Sequence, residues 1–156
     1  IAMIENITGR KRLESALTQE KQRFEQILAG FPYGIYIVNP DYHIEYTNPA
    51  LTQEFGDPGS RLCYEYFHDF SGPCSWCYNQ RIANGEMVRR EWHSPKNNRD
   101  YELVGIPLRN DDGTTSKLEV FQDITGRKQA EAEKARLEEQ FHQVQKLESI
   151  GRLAGA

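Results

Sequence analysis

The sequence predicts an α+β domain: a five-stranded antiparallel sheet with a helical insert between its second and third strands, flanked by long N- and C-terminal coiled-coil helices. Three observations predict it. Two long charged segments carry apolar residues at helical spacing. The stretch between them switches to a period of two. Polar turn phrases divide that stretch into strand-length pieces.

The first helix is expected over about residues 9–29. Leu13, Leu17, Glu20, Phe24 and Ile27 form a heptad seam with one polar position. Thr8 offers a cap at its start, and Gly30 before Phe31-Pro32 stops it. In "GIYIVNPDYHIEY", Ile35 and Ile37 alternate with Tyr36 and Val38, Pro40-Asp41 supplies a turn, and Ile44 and Tyr46 resume the alternation. This reads as a hairpin. Asn48 followed by Pro49 is an N-cap and first-turn pair for a short helix. Two more short helices are expected, around Cys63–Phe67 and around Ser75–Ala83. "EMVRREWH" places Val88, Arg90 and Trp92 on one strand face, and Asp112-Gly113 turns the chain between the last two strands. The final segment is rich in strong helix formers, with Leu137, Phe141, Val144 and Leu147 as a narrow apolar stripe. Neither stripe can be buried along its length by so small a domain, so a parallel homodimer is the expected state.

Composition narrows the function. The chain has 156 residues, 27% of them charged, with a net charge of −4 and no dominant basic patch, which argues against nucleic-acid binding. No apolar run approaches the length of a membrane span. The three cysteines are an odd number, which argues against a secreted disulfide framework and for a cytoplasmic location. Both ends read as cut from something longer, so a full-length protein with a membrane anchor remains compatible.

One polar phrase occurs twice: "NITGRK" at Asn6–Lys11 and "DITGRK" at Asp123–Lys128, each before a charged helical run. At the second copy it closes the last strand and opens the exit helix, with Asp123 and Thr125 placed to cap that corner and transmit a signal through it. Its recurrence implies tandem domains, with residues 1–7 as the last strand of a preceding copy.

The runs "FEQILAGFPYGIYIVNPDYHIEYTNPAL", "NGE" at Asn84–Glu86 and "PLRNDDGTTSKLEVFQDITGRK" resemble a PAS domain with its C-terminal PAC portion, over about residues 24–128. The resemblance implies a division into 1–8 (tail of a preceding PAS domain), 9–29 (linker helix), 30–126 (PAS/PAC sensor) and 127–156 (signalling coiled-coil helix). The tail "QFHQVQKLESIGRLAG" resembles the start of the dimerisation and phosphoacceptor helix of sensor histidine kinases. That resemblance implies two-component signalling, with the kinase core and a response regulator as partners. His142 lies upstream of the specific run "QKLESIGRLAG" (Gln145–Gly155) and does not occupy the phosphoacceptor position, so the chain itself carries no catalytic residue.

Cys63, Cys74 and Cys77 form a C-x10-C-x2-C cluster. Three readings stand open: packed thiols, a redox-active pair or disulfide, and a zinc or iron–sulfur site. A metal site wants a fourth ligand, for which His68 and Asp69 are the nearest candidates. Cys77 follows Cys74 at the expected start of a helix, whose positive dipole end would lower a thiolate pKa there. Otherwise no cofactor is expected. No cysteine sits in the helical context of flavin-photoreactive relatives, and a stand-alone redox enzyme lacks a thioredoxin-like βαβ pattern. Strand alternation nominates Ile35, Ile37, Tyr46, Phe67, Ile82, Val88, Leu103 and Val120 as pocket residues. The alternative function is a dimerising spacer without a sensory role, ahead of another output domain.

Overall fold

The computed structural model describes residues 1–155. Helix α1 (Ala2–Gly30) leads into β1 (Gly34–Val38), β2 (Ile44–Thr47), α2 (Pro49–Phe55), α3 (Cys63–His68), α4 (Asn79–Ala83), β3 (Val88–Ser94), β4 (Arg99–Arg109), β5 (Thr115–Asp123) and α5 (Thr125–Ala154). The five strands pair antiparallel in the order β2-β1-β5-β4-β3. The first and last sequence strands of the sensor unit thus lie side by side at its centre, and α2–α4 cover one face. The expected α+β architecture with two long flanking helices is present.

Local chemistry explains the corners. At the first hairpin, Asn39 accepts from the backbone N–H groups of Asp41 and His43 through its side chain, and the Tyr42 N–H donates to the Asn39 carbonyl at 3.1 Å. At the last hairpin, Gly113 sits at φ +86°, the left-handed conformation that favours glycine. Asn48 caps α2 as expected, and it does more. Its Oδ1 accepts from Leu51 N at 3.1 Å and from Ile35 N at 2.8 Å, while its Nδ2 donates to the carbonyls of Leu28 at 3.2 Å and Tyr33 at 2.9 Å. One fully buried amide therefore joins the end of α1, the start of β1 and the start of α2.

The core lies between the sheet and α2–α3. Tyr36, Val38, Leu51, Tyr66, Phe67, Tyr101, Leu103 and Phe121 form it, with Phe55 and Trp92 packed against them. Some of its aromatic rings meet at tilted or edge-on angles, such as Tyr66–Phe67 at 4.6 Å and Tyr36–Phe67 at 4.9 Å between centroids, whereas Phe67 and Phe121 stack at 5.1 Å.

Three expectations are corrected. Residues 1–7, expected as a strand, are helical from Ala2, and the first helix starts well before residue 9. A strand needs a neighbour, and none is present there, so local propensity decides. Thr8 consequently does not cap; its hydroxyl donates to the Ile4 carbonyl at 2.9 Å inside the helix. The third short helix begins at Asn79 rather than Ser75, because Cys74–Cys77 closes a turn first, with Cys77 N donating to Cys74 O at 3.0 Å.

Neither long helix buries a residue. Leu13, Leu17, Phe24 and Ile27 on α1, and Leu137, Phe141, Val144 and Leu147 on α5, are all exposed.

Candidate functional site: a charged cavity and the corner of the exit helix

The inner sheet face supplies more than apolar packing. On β5, Lys117 and Glu119 point into the domain, 7% and 2% exposed respectively. Glu119 Oε2 accepts from the Tyr36 hydroxyl at 2.7 Å and lies 3.1 Å from Lys117 Nζ. The Lys117 ammonium also sits over the rings of Tyr78, at 4.7 Å, and Tyr36, at 5.2 Å. Gly105 on β4 makes room for this cage: a Cβ there would come within 3.1 Å of the Tyr78 ring.

Burial opposes both charges. It pushes the Glu119 carboxyl up to about 7 and Lys117 down to about 8. The Tyr36 hydroxyl bond works the other way on Glu119, favouring its ionised form.

Beside this pair is a cavity of about 40 Å³. Its walls come from α3, the turn before α4, and the inner faces of β3–β5. All three cysteines line it, as do His68, Trp76, Arg90 and Trp92. Sequence reasoning grouped the cysteines with His68, and the structure brings those four to one cavity. Their chemistry there is subdued. All three thiols are free. Burial pushes Cys63 up to about 12 and raises Cys74 as well. Helix α4 starts two residues past Cys77 and is only five residues long. Burial, with Arg90, Lys96 and Lys117 nearby, drives His68 down to about 4, so it is neutral at physiological pH. Asp69 faces outward to Lys96 at 2.9 Å. Among the described residues, no three His, Cys, Asp or Glu side chains meet in a metal-binding cluster.

Of the eight residues nominated for a pocket, Phe67 and Leu103 line the cavity. Ile82 and Val88 are buried beside it in a small cluster with Tyr78. Ile35, Ile37, Tyr46 and Val120 occupy the outer sheet face, where Ile35 pairs with Val120 and Ile37 with Tyr46. The alternation was read one residue out of phase in β1 and β5. Tyr36, Lys117 and Glu119 are the residues that sequence reasoning missed. The signal available was a Lys-x-Glu pair spaced to share one face of a strand with Phe121, a pair costly to bury and therefore informative.

The second part of the site is the corner where β5 becomes α5. Asp123 Oδ1 accepts from Thr125 N at 2.8 Å, and Oδ2 accepts from Arg99 Nη1 at 2.9 Å. Although partial burial opposes it, these bonds hold the Asp123 carboxyl below its ordinary value. Thr125 does not cap the helix with its own side chain. Its Oγ1 instead accepts from Asp100 N at 2.9 Å, fastening the helix start to β4. The rest of the phrase is used too: Lys128 Nζ lies 3.0 Å from Glu91 Oε2 and 3.6 Å from Asp100 Oδ1. In the first copy, by contrast, Arg10 pairs only along its own helix, with Glu14.

Arg99 links this corner to the core. It reaches Glu54 Oε1 at 2.9 Å, and the Tyr101 hydroxyl donates to Glu54 Oε2 at 3.2 Å. The Tyr101 ring stacks on Trp92, which lines the cavity, with centroids 6.0 Å apart.

A sheet with this strand order, a cavity between its inner face and short helices, and an acid at the exit corner define a recognisable arrangement. The sequence profile described as "PAS fold" matches residues 28–129. The chain belongs to the PAS family. No curated protein sequence matches the chain. Solved PAS structures resemble it. The PAS domain of an HTR-like protein from Haloarcula marismortui shares 20% identity at a TM-score of 0.54, covering 73% of this chain and 99% of that one. A domain of a sensory box sensor histidine kinase/response regulator from Geobacter sulfurreducens shares 22% identity at 0.51, covering 69% and 96%. A PAS domain from a two-component sensor histidine kinase shares 12% at 0.52, covering 68% and 97%. At these identities the likeness is one of fold. Among the described residues, no helix is long and apolar enough to cross a membrane.

Proposed function

We propose that this PAS domain is the sensory and dimerising segment of a sensor histidine kinase in a two-component system. The cavity receives the signal. The observation that carries the reading is the unbroken set of contacts from the cavity wall to the exit helix: Trp92, Tyr101, Glu54, Arg99, Asp123, Thr125. A change at the cavity that moves Trp92 or Tyr101 alters the Arg99 bridge, and with it the angle at which α5 leaves the sheet. The run Gln145–Gly155 supports a kinase core downstream, and a response regulator acts after it. The exposed stripes of α1 and α5 pair with those of a second chain. The repeated phrase at Asn6–Lys11 supports residues 1–8 as the tail of a preceding PAS domain, and the cysteine usage supports a cytoplasmic location.

The test is a double-variant cycle in the full-length kinase. Glu119→Gln removes a buried charge from the cavity and alters basal autophosphorylation. Asp123→Ala, added to it, abolishes that alteration while the chain still folds. An alteration that survives Asp123→Ala overturns the transmission route. The small cavity volume favours a second reading, a dimerising spacer ahead of another output domain. Under that reading Glu119→Gln leaves output unchanged.

A further inference from the structure

Only half of the Glu119 carboxylate is used. Oε2 holds Tyr36 and Lys117, whereas Oε1 is buried with no hydrogen-bond partner among the described residues. Two other cavity residues share this condition: Arg90 Nε, and both side-chain amide atoms of Asn79. The Arg90 guanidinium lies over the Tyr78 ring at 4.9 Å, which satisfies its face and leaves its edge donor free. Buried polar atoms without partners are costly, and three such groups around one cavity describe the complement of a ligand.

The charges indicate which ligand. Arg90 and Lys117 place two cations against one carboxylate, so an anion offsets the excess. Arg90 presents a fork suited to a carboxylate. Opposite it, burial raises the Glu119 carboxyl to about 7, so neither of its forms is strongly favoured. A ligand hydroxyl suits both forms, donating to the carboxylate or accepting from the acid. An ammonium group there would face Lys117. At about 10–15 Å³ for each water-sized volume, the cavity takes only a few heavy atoms. Cys63, held neutral, contributes a soft wall.

We propose that this cavity binds a small hydroxycarboxylate of about the size of glycolate, its carboxylate on Arg90 and its hydroxyl on Glu119 Oε1, with the Asn79 amide completing the contacts. The inference rests on the reading of the cavity as the sensory site and names its ligand class.

The chain's two tryptophans, Trp76 and Trp92, both line the cavity, so intrinsic fluorescence reports occupancy directly. The chain is titrated with sodium glycolate, and in parallel with acetate, ethylene glycol and ethanolamine. Glycolate is expected to give a saturable change, with acetate about tenfold weaker for want of one hydrogen bond. Arg90→Met is expected to weaken glycolate by at least about tenfold, and Arg90→Lys, which keeps the charge and loses the fork, by an intermediate factor. Circular dichroism confirms that both variants fold. Absence of saturable glycolate binding, equal affinity for glycolate and acetate, tighter binding of ethanolamine, or an unaffected folded Arg90→Met variant would each overturn the proposal. Glycolate binding with no effect on kinase output leaves this inference standing and counts against the sensory reading. Altered output in Glu119→Gln with no glycolate binding counts against this inference alone.

Discussion

Lys117 and Glu119, two residues apart on β5, point to the same sheet face and meet at 3.1 Å inside the core. Each is held against its own preference by burial, and each leaves a mark on stability that depends on pH. Folded Glu119 keeps its proton to about 7, above its ordinary 4.5, so across that window the folded chain binds more protons than the unfolded one. Stability therefore falls as pH rises from 4.5 to 7. Lys117 behaves oppositely: folded, it releases its proton near 8 rather than 10.5, so stability rises across that second window. Urea titrations at several pH values are expected to give a minimum between the two windows. Glu119→Gln is expected to flatten the acidic limb and, by removing the carboxylate 3.1 Å from Lys117, to lower the pH at which the alkaline limb begins; a minimum unchanged in that variant would refute the assignment.

Asn48 offers a test of the fold rather than the site. Replacing it with Leu leaves the Ile35 and Leu51 N–H groups and the Leu28 and Tyr33 carbonyls without their partner. The expected loss is about 3 kcal/mol, read from the denaturation midpoint at constant slope.

Thr125→Val removes the acceptor for Asp100 N and keeps the shape of the side chain. A cost of about 1 kcal/mol is expected, together with faster hydrogen exchange at the Asp100 amide. The neighbouring bond from Ile124 N to Asp100 O, 2.8 Å long, is backbone only, so protection at Ile124 should change less.

The pairing of long helices is tested on α5. Phe141 and Val144, 66% and 52% exposed in the single chain, stand on its apolar stripe. Val144→Asp with Phe141→Asp is expected to convert a dimer into a monomer by sedimentation, while the sheet domain keeps its near-ultraviolet signature. A wild-type chain already monomeric at high concentration would refute the pairing.

Much of this was legible in advance because local chemistry and global fold agree. Asn48-Pro49, Asp112-Gly113 and the helical spacing in α1 and α5 each specify one conformation on their own. The phase of β1 and β5 was not legible. Hydrophobicity picks a phase only when one face is polar, and here both are apolar: Ile35, Ile37 and Val120 on one side, Tyr36, Val38 and Phe121 on the other. The buried Lys117 reads in sequence as a surface residue, since its position is tolerable only with Glu119 beside it on β5 and the rings of Tyr36 and Tyr78 around it, and those two tyrosines are distant in the chain. Asp123 and Thr125 stand in a phrase that occurs twice, whereas Arg99, which bridges Asp123 to Glu54, has no such marker, because a salt bridge between strands leaves no spacing signature.

Helix α5 is fixed to the sheet only by its first turn and stands free thereafter. At 1.5 Å per residue its thirty residues extend about 45 Å. By geometry alone, a tilt of a few degrees where it leaves the sheet displaces its far end by several ångströms.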